Sequence, residues 1–152
     1  MPLVLPVLPA GAMLYGLNRA PWETEASAVR PAASWWMVAL AAASALSVLV
    51  ALLETLLLDF SLAFAVARNF LGYLGVGLIV QRFTHAQYGS VAVAVLPVAC
   101  ALIGLGPGGR PYAWMWPLHA SDSLVAGALA VIIFGLGLAA TTRYVSDCRS
   151  RR

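Results

Sequence analysis

Arg68 and Asn69 stand near the middle of a long apolar run, residues 60–80, and Glu54 and Asp59 bracket the short segment ETLLLD just before it. A cation placed inside hydrocarbon costs about 2.5–3.5 kcal/mol on insertion scales, so Arg68 needs a reason to be there. One reason is a path. Arg68 and Asn69 would face the interior of a helix bundle and meet a substrate or ion, with Asp59, Glu54 or Asp122 as acidic partners. The same residues also fit a helix broken at Arg68-Asn69, or a guanidinium that snorkels to the outer interface. Glu54 and Asp59 fit a carboxylate pair for proton or cation work, and equally two solvated charges at helix ends.

The remaining reactive side chains are scattered. His85 and His119 fall in loops on opposite faces of the layer, so they cannot share a metal ion. Cys100 lies in an apolar run and Cys148 in the basic tail, which reads as two free thiols. Gly72, Gly75 and Gly77 sit inside a hydrophobic segment with no following Lys-Ser/Thr. They read as close helix packing or a kink, not as a phosphate loop. Tyr112, Trp114 and Trp116 cluster in the loop 107–123 and fit an aromatic belt at headgroup level better than a ligand platform. No HExxH, GxSxG, Ser/Lys or Cys/His couple occurs at one depth. The sequence therefore predicts no enzyme, no cofactor and no metal site.

The elements that must position these residues follow from composition. Of 152 residues, 62% are hydrophobic and 10% charged, and the mean hydropathy is +0.88. Soluble chains are roughly 45–50% apolar and about 25% charged. A soluble body of this size exposes more surface than so few charges can serve. A soluble enzyme, a disordered tail and a free nucleic-acid binder are excluded, so no nucleic-acid partner is expected and the solvent is a lipid bilayer. The sequence predicts an all-α fold, a polytopic membrane helix bundle of four to five transmembrane helices forming one domain, 1–152. Residues 33–53, 60–80, 88–106 and 124–142 are the clear spans. Residues 2–17, with Pro2, Pro6 and Pro9, are either the end of a truncated span or a Pro-kinked helix.

Arginine sets the orientation. The nine basic residues are all Arg. With the C-terminus in the cytoplasm, the inside segments hold Arg19, Arg30, Arg82, Arg143, Arg149, Arg151 and Arg152, and the outside segments only Arg110. The positive-inside rule selects that arrangement, in a multi-pass protein of the cell (plasma) membrane. Residues 20–30 then form a cytoplasmic amphipathic segment. Pro21 suits the first helical position, Glu23 and Glu25 the first turn, and Arg30 the last. Trp22, Ala26 and Val29 make one apolar edge at i, i+4, i+7. A helix this short is marginal alone and needs a surface or a partner.

Three stretches carry a family resemblance: the apolar run leading into Trp22-Glu23-Thr24-Glu25-Ala26 and Arg30-Pro31; Ala67-Arg68-Asn69-Phe70-Leu71-Gly72-Tyr73-Leu74-Gly75; and Trp114-Met115-Trp116-Pro117-Leu118 before the last span. Their order resembles part of an ABC-2-type export permease of the kind found in high-GC Gram-positive bacteria. The resemblance implies six spans, a separate ATP-binding cassette subunit, and a coupling helix between spans two and three that docks on it. Residues 2–17 would then be span two, with span one missing, and Trp22, Glu23, Glu25, Ala26 and Val29 would form the docking face. A pore built from this unit would need a homo- or hetero-oligomer. The other reading of the same residues is a non-transporting small membrane adaptor or structural subunit, with small-residue helix faces and no polar path.

Overall fold

A computed structural model of the chain describes residues 3–18, 32–60, 62–85, 87–106, 108–112 and 115–150. The docking face expected at Trp22, Glu23, Glu25, Ala26 and Val29 lies outside them, as does Trp114. The described residues form five α-helices: α1 (Val7–Asn18), α2 (Ala32–Leu58), α3 (Leu62–Phe83), α4 (Tyr88–Ile103) and α5 (Leu124–Ser150), with a 3-10 turn at Trp116–Leu118. The one β feature among them is an isolated bridge, Leu105 to Pro111.

Three stretches are long and apolar enough to cross a bilayer: Trp35–Leu58, Leu62–Phe83 and Leu124–Thr142. The 16-residue α4 and the 12-residue α1 are shorter. At 1.5 Å per residue they reach about 24 Å and about 18 Å, against a hydrocarbon core of about 30 Å. The segments expected at 88–106 and 2–17 are thus apolar helices of less than full span length.

The helix α3 is the axis of the bundle, and α1, α2, α4 and α5 all pack on it. Burial within the chain covers 72% of its apolar window but 17% of those of α2 and α5. Composition explains the difference. Ala63, Ala65, Ala67, Gly72, Gly75 and Gly77 let four neighbours approach one helix closely. Exposed Leu46, Leu49, Leu52, Val131, Ile132 and Leu136 on α2 and α5 present apolar surface outward, as lipid solvent requires. The core gathers around α3: Phe70, Tyr73, Leu74 and Leu78, with Ala10 and Leu14 from α1, Val93 from α4 and Ala126 and Ala130 from α5.

The crossing of α3 and α5 brings backbone onto backbone. A Cβ at Gly75 would stand 2.6 Å from the Phe134 nitrogen, and one at Gly137 would stand 2.8 Å from the Gly75 carbonyl oxygen. Close packing, one of the two readings of the glycine run, is what these residues do. Two details differ from the sequence expectation. The segment ETLLLD is not a turn: α2 continues through Leu58, and the chain reverses at Asp59, which takes a positive φ of 52°. Leucines favour continuing the helix, and Asp is among the few residues that tolerate the left-handed conformation. Nor is α3 broken at Arg68-Asn69, since the helix runs through both.

Candidate functional site

The polar stretch of α3 lies about two turns from its start. Arg68 is 7% exposed and Asn69 is fully buried. Side chains on a helix lean toward its N-terminus. Arg68 therefore reaches toward the end of the bundle where the long connection between α4 and α5 lies, called here the loop end. That connection folds back over α3. Gly108 and Gly109, with φ of 81° and 73°, turn the chain. The Tyr112 N–H returns to the Gly104 carbonyl at 3.2 Å, and the Met115 N–H to Tyr112 at 2.9 Å. Residues 115–117 are then buried against the bundle.

Arg68 holds this loop in place. Its Nη1 donates to the Ala120 carbonyl at 2.8 Å and its Nη2 to the His119 carbonyl at 2.9 Å. Asn69 Nδ2 donates to the Pro117 carbonyl at 3.4 Å. One turn on, Gly72 leaves room for the Trp116 indole, since a Cβ there would meet Nε1 at 2.5 Å. Two hydrogen bonds to a charged donor contribute about 1.5–3 kcal/mol each, enough to offset the insertion cost of one arginine. The carbonyls that receive Arg68 follow a 3-10 turn, where backbone oxygens lack helical partners. Arg68 is neither at a helix break nor free at the interface: the chain's own loop supplies the oxygen atoms that snorkelling would seek in water.

The four residues expected along a path are therefore not brought together. Arg68 and Asn69 serve the loop, and no carboxylate among the described residues pairs with Arg68. Asp59 is exposed at the reversal after α2. Glu54 is half-buried on α2 and lines a separate groove of about 540 Å³ between α1, α2 and α3. Between α2, α3 and α5, Val48, Phe64, Arg68 and Ala130 line an open apolar groove of about 160 Å³. No cluster of three or more metal-ligating side chains occurs among the described residues. Cys100 is a buried free thiol on α4.

The sequence reading missed Trp116 as a packing element. It is 8% exposed, so it does not stand in an aromatic belt, while Tyr112 on the same loop is exposed. The signal that could have found it is the spacing Arg68…Gly72. A donor and a gap one turn apart on a helix ask for an acceptor and a bulky ring from elsewhere. Missed too was the Tyr73 hydroxyl, which donates to the Leu3 carbonyl at 2.9 Å and ties the chain ahead of α1 to the middle of α3. Comparison with known protein families, curated proteins and solved structures gives no match. The geometry and composition together make this chain an integral, multi-span membrane protein of all-α architecture.

Proposed function

We propose that the chain is a non-transporting structural subunit, an adaptor, of a larger assembly in the cell membrane. It works without catalytic chemistry of its own, with its C-terminal tail cytoplasmic and its loop end outside. The observation that carries this reading is the use made of Arg68. Arg68, buried within α3, is bound to the carbonyls of the chain's own loop, so it is committed to shape and not to a passing ion. The thinly covered α2 and α5 give the assembly two long helix faces for neighbours in the bilayer.

A second reading is favoured by the groove that Glu54 lines. There the chain is the permease subunit of an ABC-type exporter, oligomeric, docking a separate ATPase through Trp22, Glu23, Glu25, Ala26 and Val29. One experiment separates the two. The tagged chain is extracted from its native membrane with surrounding lipid, and its companions are identified by mass spectrometry. The adaptor reading expects integral membrane companions that Arg68→Met still recovers and that Trp22→Asp with Val29→Asp does not displace. A nucleotide-binding ATPase recovered by the native chain and lost from the double variant overturns the adaptor reading in favour of the exporter.

A further inference from the structure

The groove between α1, α2 and α3 has the shape and the charge of a ligand site. At about 540 Å³ it falls within the roughly 300–1,000 Å³ of small-molecule pockets. Pro6 and Pro9 close it on the α1 side, and Ala51, Ala63 and Ala67 form a smooth wall because none carries more than a methyl group. Along α2 it runs from Ala43 to Glu54, about 16 Å of helix. Ser47, in its lining, already donates to the Ser44 carbonyl at 2.8 Å. Glu54 is the one charged residue of the lining, and no hydrogen bond or ion pair within the described residues engages its carboxylate. It stands one turn from the end of α2, about 6 Å below it. Phe60, half exposed, stands at the same end of the groove.

We propose that this groove binds a lipophilic cation, an apolar body carrying one ammonium or phosphonium charge, with the charge held at Glu54. An unpaired carboxylate at the mouth of an apolar slot attracts a cation and repels a lipid phosphate, and the aromatic ring beside it adds attraction for a cation. The site goes beyond the adaptor reading and does not depend on it, because binding is measured without transport or partner.

The test uses the purified full chain in nanodiscs of phosphatidylcholine. The probes are tetraphenylphosphonium and its isosteric anion tetraphenylborate, each followed by equilibrium dialysis. Saturable binding of the cation, none of the anion, and a loss of about tenfold or more in affinity in Glu54→Gln are expected, with recovery in Glu54→Asp. Glu54 is half-buried at a helix end, so the variants are required to elute as the native chain does before they are compared. Three results overturn the proposal: cation binding equal in Glu54→Gln and the native chain, saturable anion binding at the same site, or no saturable binding of the cation. A phospholipid that co-purifies equally with the native chain and with Glu54→Gln, and blocks the cation, also overturns it. So does a second copy cross-linked through Val50→Cys and displaced by no amount of cation.

Discussion

In its first half α3 carries Arg68, Asn69 and Gly72 against a folded loop, whereas in its second half Gly75 and Gly77 meet α5 and α1 directly. Both halves are largely buried within the chain, yet they are held differently. The first half is joined by directed polar bonds to carbonyls that lie near the interface, where water can replace them if they are released. The second half is joined chiefly by close contact, backbone to backbone at Gly75 and against the Leu14 and Val93 side chains at Gly77, with Tyr73 and Gln81 adding single bonds to carbonyls of the α1 segment. The comparison teaches that the charged residue is the more replaceable of the two. The glycines set the geometry of the bundle, and Arg68 sets the position of one loop.

The largest effect should come from Gly75→Ala. Its methyl would lie 2.6 Å from the Phe134 nitrogen and 2.7 Å from the Ile133 carbonyl carbon and oxygen. These are backbone atoms, and they move only if α5 moves. Overpacking costs typically 1–3 kcal/mol, and here about 3 kcal/mol is expected, read by equilibrium unfolding in mixed detergent and dodecyl sulfate micelles. A loss under about 1 kcal/mol would mean that the two helices can slide apart freely, and the contrast drawn between the halves would fail.

Gly72→Ala should cost less, about 1–2 kcal/mol. Its methyl would meet Trp116 Nε1 at 2.5 Å and Cε2 at 2.8 Å, and that indole belongs to a loop that can yield. The signature is local: amide exchange at residues 115–120 rises while exchange in α5 stays as in the native chain. Arg68→Met follows. It removes the clamp and the buried charge together, and the carbonyls it releases, at exposed Ala120 and half-buried His119, can turn to water. Global stability is expected to stay within about 1 kcal/mol of the native chain, with protection of residues 118–120 lost. Arg68→Lys keeps a charge but not the two-pronged donor, and should protect the loop only in part. Collapse of the whole bundle in Arg68→Met would make the arginine, not the glycines, the keystone.

How far these features were legible in the sequence follows from their range. Apolar runs with aromatic and arginine flanks mark three full spans because lipid acts on every residue of a helix alike. Gly72, Gly75 and Gly77 announced close packing for the same reason. What composition could not carry was the partner of a single side chain. Arg68 is answered by the carbonyls of His119 and Ala120, and a backbone oxygen has no residue type to betray it. Acidic side chains such as Glu54, Asp59 and Asp122 stand out in a sequence, and a carbonyl does not. Trp116 was misplaced at the headgroups for a related reason: a tryptophan near a span end has the same composition whether it faces lipid or a gap in a neighbouring helix. The reversal at Asp59 shows a third limit, since two acids bracketing three leucines look like a polar turn although the leucines favour continuing the helix.

The smallest effect tests whether the outward face of α5 meets lipid or a neighbouring helix. Gly135 is exposed and a Cβ there meets nothing within 4 Å, while Gly137, two residues on, faces the Gly75 carbonyl at 2.8 Å. Alanine at an unhindered helical glycine reduces the freedom of the unfolded chain and favours the helix, worth about 0.4–1 kcal/mol. Gly135→Ala is expected to stabilise by about 0.5 kcal/mol in detergent, and Gly137→Ala to destabilise in the same titration. The sign at Gly135 is the informative quantity. If a partner helix in the native membrane packs there, the alanine that stabilises the isolated chain will weaken the recovered assembly. A gain in both settings leaves that face to lipid, and moves the search for the adaptor's contacts to α2.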